Sequence, residues 1–154
     1  MKKDHFFYMG EALAEAKLAL SAGEVPVGAV IVKDGEIIGR GRNEKERRQN
    51  PMGHGEIAAI AAASEKLGQW RLDGCTLYAT LEPCPMCAGA MLQSRISLLV
   101  FGAWDLRWGA AGSIVDILNP QLFNHRIEII SGIREAESQG LLEEFFHKIR
   151  QNGL

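Results

Sequence analysis

The chain has 154 residues, 47% of them hydrophobic and 23% charged, with a formal net charge of −2. That length and balance fit one soluble globular domain, residues 1–154, long enough to bury a core. No apolar run approaches the ~20 residues that span a bilayer, and no apolar signal core follows the first five residues. Three cysteines, an odd number, suit a reducing compartment better than a disulfide framework. The expectation is a cytoplasmic protein with no membrane contact.

From about Asp4 to Ala22 the pattern is that of an amphipathic helix, with Phe6, Met9, Leu13, Ala16 and Leu20 on one face and Gly23 at its stop. Val25 to Val32 is rich in β-branched residues and predicts a buried strand. Asp34-Gly35 takes positive φ readily, so Lys33 to Glu36 predicts a hairpin turn, with Ile37 to Gly41 returning as the second strand. The next stretch, Arg40 to Arg48, holds five basic residues against two acidic ones. A charge run of this kind is most often a solvated loop, and its sharper reading is a phosphate-facing edge.

An Ala-rich helix follows over Ile57 to Leu67, with Ile57, Ile60 and Ala61 on one side. Asp73-Gly74 marks a turn into a strand from Cys75 to Thr80. Cys84 to Gln93 predicts a second Ala-rich helix, and Ile96 to Phe101 a strand buried on both faces. A loop over Gly102–Gly112, a helical turn over Ser113–Leu118, a strand near Arg126–Ile130 and a last helix over Arg134–Arg150 complete the chain. Strands alternating with helices after an opening hairpin predict an α/β fold, a mixed sheet covered by helices.

The chemistry concentrates in Thr80-Leu81-Glu82-Pro83-Cys84-Pro85-Met86-Cys87. Cys84 and Cys87 stand three apart at a helix start, so they share a face, and the positive end of the helix favours their thiolates. Upstream, His54-Gly55-Glu56 supplies one imidazole and one carboxyl. His54, Cys84 and Cys87 make an N, S, S ligand set. A structural zinc would be closed by a fourth protein ligand, and Cys75, the spare thiol, opens a strand away from the pair and reads as a small buried hydrophobe. The fourth position is then left for water, which zinc acidifies to a nucleophile near neutral pH, and Glu56 is placed to move the proton. Cys-x-x-Cys alone fits a redox pair equally well, and His-x-Glu alone is weaker still. Joined, with Pro83 ahead of Cys84, they form the H-x-E…P-C-x-x-C signature of zinc nucleobase deaminases.

From about Phe7 to Arg150 the sequence resembles the bacterial tRNA-specific adenosine deaminases of the cytidine deaminase-like superfamily. The resemblance rests on the zinc motif, on Glu24-Val25-Pro26-Val27-Gly28-Ala29-Val30, on Gly109-Ala110-Ala111-Gly112-Ser113, on Asn124-His125-Arg126, and on Phe145-Phe146 with Arg150. It implies a three-layer α/β/α fold around a mixed five-stranded sheet. It further implies a homodimer with one Zn²⁺ per subunit, converting adenosine to inosine at the wobble position of a tRNA anticodon stem-loop. Carried over by position, His54, Cys84 and Cys87 would bind zinc and Glu56 would shuttle protons. Asn43 would contact the flipped-out nucleoside; Asp105, Asn124 and Phe146 would line the anticodon-loop groove; Arg107 and Arg150 would lie near phosphates. Read from the residues alone, Asn43 is a turn asparagine and Phe146 a core residue at helical spacing.

Two departures from the family pattern stand out. Gly53-His54-Gly55-Glu56 replaces the usual Ala-His-Ala-Glu, and each Gly inside a helix costs ~1 kcal/mol, so a looser ligand-bearing turn is expected. The loop from Ala103 to Trp108 carries two indoles where the family is polar or small. Trp104 and Trp108 fit stacking on splayed bases, packing in a dimer interface, or reshaping the entrance for another substrate. The competing functions are a deaminase of a free base or nucleoside (guanine, cytosine or adenosine) and a non-catalytic RNA-binding module with structural zinc.

Overall fold

The computed structural model describes residues 2–152. Its centre is a five-stranded sheet in the order β2-β1-β3-β4-β5, from β1 (Gly28–Lys33), β2 (Glu36–Arg42), β3 (Thr76–Leu81), β4 (Leu98–Ala103) and β5 (Glu128–Ile130). β1 runs antiparallel to both β2 and β3, whereas β3, β4 and β5 are parallel. The expected mixed sheet is therefore present. The β1–β2 hairpin turns on Asp34 (φ 50°) and Gly35 (φ 78°), the positive dihedrals that this dipeptide favours.

Side-chain alternation sorts the helices into two layers. Ala29, Ile31, Leu77, Ala79, Leu99 and Phe101 point to one face, where they pack with residues of α3 (Gly55–Leu67) and α4 (Pro85–Gln93). Val30, Val32, Tyr78 and Val100 point to the other, against Tyr8, Met9, Ala12 and Leu13 of α1 (His5–Ser21), with Leu141 of α5 (Glu135–Gln151) beside them. β1, β3 and β4 are covered on both faces, which is why Ile96 to Phe101 carries almost no polar group.

Glycines set the distance between α3 and the sheet. A Cβ on Gly39 would lie 2.9 Å from the Ala63 amide nitrogen, and one on Gly41 would lie 2.7 Å from that of Ala59 and overlap the Gly55 carbonyl oxygen. Both positions of β2 must lack a side chain for α3 to lie this close.

Several local expectations give way. Val25–Val27 is not strand: Val27 N–H bonds the Val25 carbonyl at 2.9 Å, closing a tight turn, and Pro26 has no N–H to place in a ladder. The Arg-rich loop contains a one-turn helix, α2 (Lys45–Arg48), that has no apolar period to announce it. Glu24, from outside, makes it: its buried carboxylate accepts the Glu46 and Arg47 N–H groups at 3.1 and 2.7 Å. Ser113–Leu118 is a set of turns with an isolated Ala111–Asp116 bridge and not a helical turn: the Ile117 N–H, which a helix would give to the Ser113 carbonyl, bonds the Ala110 carbonyl at 2.9 Å instead. Phe6 is 61% exposed, with Arg134 stacked 4.2 Å over its ring, and Phe7 packs on the core in its place. On α3 the buried line is Gly55, Glu56, Ala59 and Ala63, and Ala61 faces solvent.

Candidate active site

Two helix starts meet on the α3/α4 face of the sheet. His54 is the N-cap of α3 (φ −92°, ψ 148°) and Cys84 the N-cap of α4 (φ −74°, ψ 172°). Neither side chain caps its own helix, so both are free to face the other. Pro85 occupies the first position of α4, where a missing N–H costs nothing, and Ala88 N–H reaches back to the Cys84 carbonyl at 2.9 Å. That turn brings Cys87 under Cys84. Pro83, expected to set the approach to Cys84, also anchors it, accepting the Ala110 N–H at 2.8 Å.

His54 Nδ1 lies 3.5 Å from Cys84 Sγ and 3.4 Å from Cys87 Sγ, and the three donor atoms are all within 4.8 Å of one another. An ion bound tetrahedrally at about 2.0–2.1 Å from nitrogen and 2.3 Å from sulfur sets N–S edges of roughly 3.6 Å. The observed separations match those edges. The group can hold a metal ion.

Gly53 and Gly55 do not sit in a helix interior, so the expected loosening of the ligand turn does not arise. Gly53 precedes α3 and Gly55 is its first residue. A Cβ on Gly55 would come within 3.0 Å of the Gly41 carbonyl and the Arg42 Cα, so its absence lets the ligand-bearing turn sit directly on β2.

Charge in the cluster is tightly linked. Accepting a hydrogen bond from Cys87 holds the Cys84 thiol down to about 4, with the His54 ring adding to it, and the same bond pushes the Cys87 thiol up. His54 is raised, chiefly by its bond to Cys84. Glu56, only 3% exposed on the first turn of α3, is pushed up to about 7 by burial. A carboxyl poised there exchanges protons readily at neutral pH, and a cation among the three donors would favour its ionised form.

A cavity of about 580 Å³ opens over these groups, with His54, Glu56 and Cys84 among its lining residues. Of the residues expected to bind substrate, Asn43 and Asp105 line it; Arg107, Asn124, Phe146 and Arg150 do not. Arg107 is exposed on the same loop as Asp105, Asn124 is exposed ahead of β5, and Phe146 and Arg150 lie on α5, in the opposite helix layer. Asn43 is partly engaged as the turn asparagine its sequence suggested: its Oδ1 accepts the Lys45 N–H at 3.1 Å and its amide donates to the Val25 carbonyl at 3.2 Å. The Arg-rich run is partly self-neutralised, with Arg47 and Arg48 on Glu44 and Arg42 on Glu15. Lys45 has no ion-pair partner among the described residues and lines the cavity.

Sequence reasoning passed over Glu82. It is 1% exposed, and its carboxylate accepts the N–H groups of Asp105 (2.9 Å), Ala111 (2.9 Å) and Ser113 (3.1 Å) and the Ser113 hydroxyl. These bonds fasten the cavity's loop wall to the end of β3. A carboxylate in a strand-to-helix turn that is otherwise apolar was the available signal.

Comparison with known proteins agrees with this geometry. The family model described as MafB19-like deaminase matches residues 3–150. The tRNA-specific adenosine deaminase of Bacillus subtilis (strain 168) is 49% identical over 144 residues, covering 94% of this chain and 89% of that protein. A solved structure from work on A-to-I editing by tRNA:A34 deaminases at the wobble position of transfer RNA superposes with a TM-score of 0.82 at 43% identity, covering 88% of this chain and 98% of that one. A guanine deaminase from Nitrosomonas europaea shares the fold (TM-score 0.81, 94% of this chain and 86% of that one) at 24% identity. The chain belongs to this deaminase family and, within it, to the tRNA-specific adenosine deaminases. No helix of the described residues is long and apolar enough to cross a membrane.

Proposed function

We propose that this chain hydrolyses adenosine to inosine and ammonia at the wobble position of a tRNA anticodon stem-loop. The observation that carries the reading is the His54–Cys84–Cys87 cluster with the buried Glu56 carboxyl near it, His54, Cys84 and Glu56 lining one cavity. One N and two S donors suit zinc, one ion per subunit. When bound, zinc supplies a Lewis acid that makes water a nucleophile at neutral pH.

The chain's own groups supply the rest. Glu56 takes one proton from the attacking water and gives it to the ring nitrogen, then takes the second from the added hydroxyl and gives it to the departing amine, so that water's two protons end on the ring and in the ammonia. Asn43 and Asp105, on the cavity wall, contact the extruded nucleoside and its neighbours. Asn124 and Phe146 extend the groove for the anticodon loop, and Arg107 and Arg150 approach its phosphates. Residues 1–154 act as one domain in a cytoplasmic homodimer, and the 49% identity to a tRNA-specific relative over nearly the whole chain supports an RNA substrate over a free base.

The test is a substrate panel on the zinc-loaded protein: an anticodon stem-loop RNA beside free adenosine, cytosine and guanine. Inosine in the RNA is the expected product. Ammonia from a free base alone would move the chain to the small-molecule branch, and zinc binding without turnover to a binding module.

A further inference from the structure

The two indoles of the cavity loop serve different ends. Trp104 packs edge-on against the buried Phe101 ring, centroids 4.9 Å apart, and its ring lies over Gly112. It braces the loop against Phe101 with part of its own surface left exposed. Trp108 is 66% exposed, has no ring partner among the described residues, and lines the cavity with Asn43, Lys45 and Asp105.

Its backbone is fixed even though its ring is free. The Trp108 N–H donates to Asp105 Oδ1 at 3.2 Å, Gly109 N–H donates to the Asp105 carbonyl at 2.9 Å, and Asp105 itself hangs on Glu82. A large aromatic side chain on a pinned backbone gives up little freedom when something lies against its face. Extruding one nucleotide into a pocket unstacks its neighbours, and single-stranded bases regain that loss on aromatic rings.

We propose that Trp108 is the stacking platform for the base next to the reacted adenosine, a specificity-determining residue at the mouth of the site. This rests on the RNA-deaminating reading above. Lys45, which has no ion-pair partner among the described residues, lines the same cavity and supplies a cation for that nucleotide's phosphate.

The experiment compares kcat/KM of wild type, Trp108→Phe and Trp108→Ala on an anticodon stem-loop, and on stem-loops made abasic at each nucleotide flanking the target. Stacking lost to alanine lowers kcat/KM roughly 5- to 150-fold, mainly through KM, while phenylalanine keeps most of it. The abasic change that costs wild type a similar factor must then cost Trp108→Ala little more, because both remove one contact. Losses that multiply independently, or an unchanged Trp108→Ala, overturn the proposal. So does a Trp108→Ala protein that sediments as a smaller species, since the ring then belongs to a subunit interface. Failure of wild type to form inosine in the intact stem-loop refutes the RNA reading itself, a result distinct from any of these.

Discussion

Glu82 Oε1 accepts the Asp105 N–H at 2.9 Å, tying the end of the central parallel strand to the wall of the cavity. With Oε2 taking the Ala111 and Ser113 N–H groups, one buried carboxylate organises a 24-residue β4–β5 connection, 104–127, that contains no regular helix. Long loops of this kind need such an internal anchor to hold a site.

Replacing it with an isostere that presents an NH₂ to the same donors should therefore be costly. Glu82→Gln is expected to lower unfolding free energy by about 3 kcal/mol, since bonds to charged groups contribute about 1.5–3 kcal/mol each and the orphaned N–H groups stay buried. kcat/KM should fall while zinc content is retained, because His54, Cys84 and Cys87 are not among its partners. Denaturant titration and metal analysis of the same preparation check both halves.

What the sequence showed and what it hid divide by range. The Asp34-Gly35 turn, the doubly buried β4 and the two helix starts bearing His54 and Cys84 are written in neighbouring residues, through dihedral preference, hydropathy and spacing. The features that went unseen come from distant ones. α2 exists because Glu24 caps it across more than twenty residues, and the loop from Asp105 to Ser113 is held by Glu82, more than twenty residues upstream. Gly55 reads in sequence as a weak helix residue, and its close packing on β2 is what requires it. Phe6 and Phe7 are adjacent, and the placement of α5 decides which of them stays outside: Arg134 covers one while the core takes the other.

The glycines under α3 make a second prediction. Gly41→Ala places a methyl 2.7 Å from the Ala59 amide nitrogen and into the Gly55 carbonyl, and backbone atoms cannot swing aside as a side chain can. Overpacking of this sort costs about 1–3 kcal/mol or more, and here it also shifts the turn that carries His54 and Glu56. Gly140→Ala, on exposed α5 with nothing near its Cβ, should instead stabilise by about 0.5–1 kcal/mol. Thermal unfolding of the pair, with opposite shifts expected, is the measurement.

Alkaline stability offers a third. Tyr78, buried between the sheet and α1 with its hydroxyl 2.8 Å from His5 Nδ1, is pushed up to about 12 by burial. The unfolded chain releases that proton near 10, so the folded state binds it more tightly between these values. The associated stability is complete below about pH 10 and is lost as pH rises towards 12. Tyr78→Phe should remove that part of the pH dependence, which urea titrations at pH 9, 10 and 11 would show as a flatter profile than wild type.

The most direct test of the account is single-turnover inosine formation in an anticodon stem-loop by zinc-loaded wild type and Glu56→Ala, with metal content measured on both. Wild type should convert the wobble adenosine, while Glu56→Ala keeps its zinc and slows by about 10²–10⁴-fold, the usual contribution of a positioned acid–base group. Inosine formed by zinc-bound Glu56→Ala at the wild-type rate would contradict the account.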